Sequence, residues 1–126
     1  MPNPLEKKVF IICPVRNATN EEAIYLQDYV NRLEHNRYKV HFPPQDTNQD
    51  DPNGLNICSE NREAIRNADE VHVYWNNSSS GSGFDFGMAF MLEKPIKFIN
   101  KDKIPRTRTK SFQNVLHELD SMYGLL

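Results

Sequence analysis

The sequence predicts an α/β fold: a doubly wound parallel sheet of strand order 2-1-3-4 with helices on both faces, Rossmann-like or flavodoxin-like. Three observations lead there. Short β-branched apolar runs alternate along the chain with longer stretches of helical periodicity, which is the pattern of repeated strand–helix units. The first of these runs is continuously apolar, as in strands covered on both faces. Right-handed crossovers between parallel strands then leave few topologies open.

Each element follows from its own residues. Lys8 to Val15 is an apolar run ended by Pro14 and forms the first strand. Thr19-Asn20-Glu21-Glu22 offers a capping box, after which Ala23, Leu26, Tyr29, Val30 and Leu33 recur at helical spacing as far as His35-Asn36. Tyr38 to Phe42 is a short second strand, and Pro43-Pro44 stop it and impose an extended exit. Gln45 to Asn53 follows as a polar loop, longer than economy requires, which points to a role in a site. Leu55 to Asn67 carries Ile57, Cys58, Ala64, Ile65 and Ala68 at roughly helical spacing, with Asn61 near the middle. Glu70 to Trp75 is the third strand, Asn76 to Gly83 a small polar loop, Phe84 to Leu92 a third long helix and Pro95 to Asn100 the fourth strand. Lys101 to Lys110 is basic and loop-like, and Phe112, Val115, Leu116, Leu119 and Met122 mark a last amphipathic helix with Gly124 as its stop.

Composition narrows the function classes. The 126 residues suit one domain spanning positions 1–126, with a net charge of -2 from 15 basic and 17 acidic side chains. No stretch concentrates Lys and Arg as a phosphate-backbone surface would, so nucleic acid is not an expected partner. The N-terminal segment is polar and Val9 to Cys13 is too short for a signal sequence or a membrane span. Cys13 and Cys58 lie in separate elements without C-x-x-C spacing, giving neither a disulfide framework nor a zinc site. A cytoplasmic protein with no metal, no cofactor and no membrane contact is expected.

In sheets of this order, ligands bind beyond the carboxyl ends of the strands where the winding direction reverses, here between the first and third strands. The loops 13–20 and 76–83 are therefore expected to face each other across a cleft. The second of them runs Ser79-Ser80-Gly81-Ser82-Gly83-Phe84-Asp85-Phe86-Gly87. Glycines and serines ahead of a helix let backbone N–H groups approach a phosphate or a hydroxyl-rich ligand, although Gly-Ser loops also serve as plain connectors. Asp85, in the first turn between two phenylalanines, reads either as the centre of a site or as an acid complementing the helix dipole, worth about 0.3–1 kcal/mol.

With its strand-end Cys13-Pro14-Val15-Arg16, the Ala68-Asp69 before the third strand and the turn Gly81-Ser82-Gly83-Phe84-Asp85-Phe86-Gly87, the chain resembles the nucleoside 2-deoxyribosyltransferase superfamily, which includes deoxynucleoside-monophosphate N-glycosidases. The resemblance covers roughly residues 8–100. It implies a nucleoside or nucleotide as the ligand and an N-glycosidic bond as the point of attack. In the transferases this turn reads Asp-x-Gly-Thr-x-x-Glu-x-Gly, with the Glu as nucleophile. Gly81 and Ser82 match Gly-Thr, Gly87 matches the last Gly, and Asp85 takes the place of the Glu. Its arm is shorter by more than an ångström, a displacement that can cost on the order of 100-fold in rate unless the backbone compensates. Ser79 replaces the first Asp, and Asn61 stands where the family commonly has a second catalytic Asp. Asn hydrogen-bonds but transfers no proton. The resemblance thus nominates Asp85 and Asn61 as the catalytic pair and Cys13, Pro14, Arg16, Asp46, Ser79, Gly81, Ser82 and Gly83 as ligand-binding residues. Asp46, Asp50 or Asp51 of the long loop would be the substitute proton donor.

The remaining polar residues read more plainly. Arg16 is either a phosphate contact, as in the monophosphate-hydrolase branch, or a solvated residue before a helix; Ser78, Ser80 and Ser82 add donors that favour a phosphorylated ligand. Asp46-Thr47-Asn48-Gln49-Asp50 is not a calcium loop, because Asp51 replaces the required Gly and Ile57 the bidentate Glu. His41 and His72 are expected to serve packing, and His35 and His117 to lie on helix surfaces. Cys13 has no His beside it in sequence to activate it. Tyr74 and Trp75 either stack on a base or fill the strand core. Two functions follow: an enzyme acting at an anomeric carbon through Asp85, or a binding module that senses or sequesters a nucleotide without turnover. A receiver-type signalling domain shares the alternation but would need paired acids at the first strand end, which are absent. A homodimer or larger homo-oligomer is expected, with Phe84 to Leu92 and the last helix as apolar surface.

Overall fold

The computed structural model describes residues 6–123. Its elements run β1 (Lys8–Ile12), α1 (Asn20–His35), β2 (Lys39–His41), α2 (Pro43–Asp46), α3 (Leu55–Asn67), β3 (Glu70–Val73), α4 (Ser80–Met91), β4 (Ile96–Phe98) and α5 (Phe112–Tyr123), with one 3-10 turn at Lys101–Lys103. The sheet order is β2-β1-β3-β4 and every pairing is parallel. This is the doubly wound α/β sheet expected from the alternation of strand and helix patterns. Gly124, expected to stop the last helix, lies outside the described residues.

The period of two along each strand sorts the core into two layers. On one face, Phe10, Ile12, Val71 and Val73 pack with Ile65 of α3 and Phe86 and Ala89 of α4. On the other, Val9, Ile11 and Tyr74 pack with Leu26 and Val30 of α1. Helix α5 lies along β4, where Leu116 is fully buried and His117 packs edge-on against Phe98 and donates to the Ile104 carbonyl at 2.6 Å. His117 is therefore a packing residue rather than a surface one. Among the described residues, no helix is long and apolar enough to cross a membrane.

Two boundaries differ from the sequence reading. Pro43-Pro44 do not merely end a strand; they open the single turn α2. Proline suits the first helical positions, where its missing N–H has no partner to lose, and Phe42 ahead of it takes the extended conformation that a following proline requires. Asp46 closes the turn by accepting the Phe42 N–H at 2.8 Å. Helix α4 likewise begins at Ser80 and not Phe84. Ser79 caps it, its hydroxyl accepting the Ser82 N–H, and the cap offsets the poor helix propensity of the glycines that follow. Asp85 consequently sits in the second turn. The capping box of α1 forms as read, with Thr19 and Glu22 each accepting the other's N–H.

A polar network inside the α1 side of the sheet ties three elements together. Tyr29 Oη donates to His72 Nδ1 at 2.7 Å, His72 Nε2 donates to Glu70 Oε1 at 2.9 Å, and Tyr123 Oη donates to the same oxygen at 2.9 Å. Glu70 and His72 are both buried. The His72 hydrogen bond holds the Glu70 carboxyl below its ordinary 4.5, helped by Tyr123 and Lys7 and opposed by burial. A depressed carboxyl stabilises the fold fully above its unfolded value, and that contribution is lost as pH falls through the folded one. Two outcomes are expected in urea titrations. Tyr29→Phe, which leaves His72 Nδ1 without its donor, lowers stability by about 1–3 kcal/mol. Glu70→Gln removes the part of the acid-side loss that begins below pH 4.5.

Candidate functional site

The cleft expected at the reversal point is present, with a volume of about 280 Å³, near the lower end of the roughly 300–1,000 Å³ typical of small-molecule sites. Its first wall is the segment after β1, with Cys13, Pro14, Val15, Arg16 and Asn17; its second is the β3–α4 connection, with Asn76, Ser78, Ser79, Ser80 and Gly81. Helix α3 contributes Ile57, Cys58 and Asn61, with Gly54 just ahead of it, and the segment after β2 contributes Pro43 and Gln49. Asp85 of α4 stands among them and is the one carboxylate on the cleft wall among the described residues.

Asp85 and Asn61 reach this point by the same device. Along α4 the buried residues are Ser82, Asp85, Phe86 and Ala89, and along α3 they include Asn61 and Ile65. Helix α3 thus buries Asn61 beside Ile65, and α4 buries Asp85 and Ser82 beside Phe86 and Ala89. The α3–α4 contact brings the two together, with Asn61 Nδ2 donating to Asp85 Oδ2 at 3.2 Å. Asp85 is 8% exposed and Asn61 5%. Asn61 Oδ1 in turn accepts from Thr47 Oγ at 2.8 Å. Burial pushes the Asp85 carboxyl up from 3.8 to about 7, the Asn61 hydrogen bond pulling it the other way. A carboxyl raised this far toward neutrality is suited to proton transfer, since both of its protonation states are accessible near pH 7.

The neighbouring groups follow from this charge. Cys13 is buried at the end of β1, and desolvation, with Asp85 and then Glu22, pushes its thiol up to about 12. It is a neutral wall and not a nucleophile. Cys58 is raised by desolvation and by Asp85. At the start of α4, Ser79 takes the Ser82 N–H on its hydroxyl and the Gly83 N–H on its carbonyl, whereas the Ser80 and Gly81 N–H groups have no partner within the helix, and both residues line the cleft. A side chain on Gly81 would meet nothing within 4 Å, so glycine there relieves no contact. Arg16 is exposed at the rim.

Of the residues singled out from sequence, the cleft brings together Cys13, Pro14, Arg16, Asn61, Ser79, Gly81 and Asp85. Three others stand elsewhere. Asp46 is engaged with the Phe42 N–H and lines a separate groove with Lys8 and Lys39. Ser82 is buried beneath the cleft with its hydroxyl on Ser79 Oγ at 2.8 Å, and Gly83 lies within the first turn of α4. The substitute proton donors from the long loop do not reach the cleft wall: Asp51 accepts the Ile57 N–H at 3.0 Å, and Asp50 is absent from the lining. Trp75 packs edge-on against Phe86 with its indole N–H on Asn77, and Tyr74 is buried beside Tyr25, so both belong to the core. The sequence reading missed Thr47, Gln49, Ile57 and Cys58. The last two share the inward stripe of Asn61, and that spacing was the available signal.

No family model matches the sequence, and no curated protein matches it. Solved structures do. The chain aligns with the CMP N-glycosidase of Clostridium botulinum at a TM-score of 0.55 and 22% identity, over 73% of this chain and 70% of that one. It aligns with the 2-deoxyribosyltransferase of Bacillus psychrosaccharolyticus at 0.59 and 16% identity, over 86% and 90%. A third match, the 2-deoxyribosyltransferase of Leishmania mexicana, gives 0.58 and 20% identity over 73% of this chain and 63% of that one. The chain has the fold of these proteins.

A carboxyl raised by burial penalises the folded state once it ionises. The penalty is absent below the ordinary 3.8, grows as pH rises and is complete above about 7. Asp85→Asn removes it, so this variant is expected to be more stable than wild type by on the order of 2–4 kcal/mol in mildly alkaline buffer. The gain should shrink toward zero near pH 4, as measured by thermal or urea unfolding at both pH values.

Proposed function

We propose that the chain is a nucleoside- or nucleotide-binding protein of the nucleoside 2-deoxyribosyltransferase-like superfamily and that it cleaves or transfers at an N-glycosidic bond through Asp85. The observation that carries this reading is the position of Asp85. It is a buried carboxyl held near neutrality by burial, on the wall of the cleft where β1 and β3 diverge, in a fold shared with an N-glycosidase and two deoxyribosyltransferases. Its ionised form attacks the anomeric carbon, the bond from that carbon to the base nitrogen breaks, and the base leaves with its electron pair and takes up a proton from water. A glycosyl ester on Asp85 remains, and water or a second base then displaces it. The Ser80 and Gly81 N–H groups, the nearby serines and Arg16 at the rim suit the phosphate of a monophosphate.

A second reading has an observation of its own. Asp85 is the one acid on the cleft wall among the described residues, and its partner Asn61 transfers no proton. A protein that only binds needs neither function, so a nucleotide-sensing or sequestering module without turnover fits this wall equally well. The free thiols Cys13 and Cys58 suit a cytoplasmic setting, and the whole chain is read as one domain.

Base release separates the two readings. With ribo- and deoxyribonucleosides, their monophosphates and NAD as substrates, chromatography is expected to show free base from at least one with wild type and none with Asp85→Ala. Its rate should rise through pH 7 as Asp85 ionises and then level off. Saturable binding in calorimetry without free base would select the sensing module, and neither binding nor release would overturn both.

The proposed assembly is a homodimer through α4. Phe84, Phe90 and Met91 of that helix are 58%, 56% and 81% exposed, and its one charged residue, Asp85, faces inward. Such a helix meets its own copy across a twofold axis without opposing like charges. Sedimentation velocity should show a dimer for wild type and a monomer for Met91→Lys; a wild-type monomer at all concentrations would contradict this.

A further inference from the structure

The Asn61–Asp85 contact is the end of a longer chain. His41 Nε2 lies 2.8 Å from Thr47 Oγ, Thr47 Oγ 2.8 Å from Asn61 Oδ1, and Asn61 Nδ2 3.2 Å from Asp85 Oδ2. Four segments contribute one residue each: β2, the residue following α2, α3 and α4. Thr47 is 3% exposed although it lies in the polar stretch after the second strand. His41 is held from behind, its ring stacked on Phe10 at 5.3 Å with an interplanar angle of 11°.

Counting hydrogens gives the chain a direction. An ionised Asp85 only accepts, so Asn61 must turn its N–H₂ toward it and its carbonyl toward Thr47. The single hydroxyl hydrogen of Thr47 is then spent on Asn61 Oδ1, and His41 Nε2 must carry a hydrogen to donate. The opposite direction is self-consistent only when Asp85 is protonated: Asp85 donates to Asn61 Oδ1, Asn61 to Thr47, and Thr47 to a bare His41 Nε2. The tautomer of an imidazole two hydrogen bonds away therefore selects which face of the Asn61 amide Asp85 meets.

We propose that His41 and Thr47 are positioning residues for Asp85, locking the Asn61 amide with its N–H₂ toward the carboxyl through a fixed Nε2–H tautomer of His41. The lock keeps Asn61 as a donor to the carboxylate through the whole titration, which favours the ionised form that the proposed attack requires. For its catalytic meaning the inference rests on the proposed function, but the lock is a property of the free protein. The ionisable groups facing Asp85 are the Cys13 thiol from the end of β1 and the Cys58 thiol from α3. Those facing His41 are Asp46 of α2 and Glu60 of α3, while desolvation keeps His41 below its ordinary 6.5.

The test follows the Asp85 carboxyl by carbon-detected NMR across its titration in wild type, Thr47→Ser and Thr47→Val, and the ring nitrogens of His41 in wild type. Thr47→Ser keeps the hydroxyl and should titrate as wild type. Thr47→Val frees the amide to turn when Asp85 protonates, and the midpoint should rise by about one pH unit, the scale of one charge-assisted hydrogen bond. His41 should remain the Nε2–H tautomer on both sides of the midpoint. The proposal is overturned if folded Thr47→Val titrates with Thr47→Ser, since a merely structural threonine would lower stability without moving Asp85. It is equally overturned, whether or not Thr47→Val folds, if His41 switches to Nδ1–H as Asp85 protonates. Neither readout uses base release, so an inactive protein leaves the test intact.

Discussion

Keeping one carboxylate out of water against a single amide is the constraint on which the cleft depends. A buried charge with one hydrogen bond is costly, and the surroundings of Asp85 are arranged around that cost. Asn61 supplies the donor, Thr47 and His41 hold the donor in place, and the facing thiols of Cys13 and Cys58 stay neutral because the carboxylate and burial both disfavour a second negative charge. The raised carboxyl of Asp85 is the balance of burial against the Asn61 hydrogen bond. Proton-transfer and nucleophilic groups are tuned in the same way in active sites generally.

The sheet separates this arrangement from the one that stabilises the fold. Alternation along β3 sends Val71 and Val73 toward α3 and α4, the layer from which Asp85 and Asn61 rise, and sends Glu70 and His72 toward α1. On the α1 side every member of the polar network has a partner and its glutamate is held ionised. On the cleft side the carboxyl is raised instead. Two buried acids in one small protein are thus shifted in opposite directions, Glu70 by hydrogen bonds and Asp85 by burial, and only the second faces a space that a ligand can enter.

The sheet and its order were legible because β1 is an apolar run, Glu70 to Trp75 is rich in β-branched and aromatic residues and α1, α3 and α5 carry helical periodicity, and Leu55–Asn67 was bounded to the residue. What escaped were places where local chemistry overrides propensity. Two prolines read as a stop, yet they open α2 because a helix start has no use for their N–H. The Gly-Ser stretch read as loop, yet the Ser79 cap carries it into α4 and moves Asp85 one turn deeper. In the site, Asp85 and Asn61 were visible because the turn Gly81 to Gly87 and the helix before Asp69 resemble a family that carries acids at those two positions. Thr47 was not, because a threonine among Asp, Asn and Gln shows nothing of its burial, and the role of His41 depends on a contact six residues on that only the α2 turn creates.

The proposed chemistry joins the shared fold to the acid on the cleft wall, and what separates turnover from binding is that no second acid lines the cleft among the described residues. Either outcome requires Asp85 to be the group that a nucleotide meets. The most direct measurement is therefore the titration of the Asp85 carboxyl with and without a saturating nucleoside monophosphate. The account gives a midpoint near 7 in the free protein, displaced when the nucleotide fills the cleft. A midpoint near the ordinary 3.8, unchanged by every nucleotide tried, would contradict it.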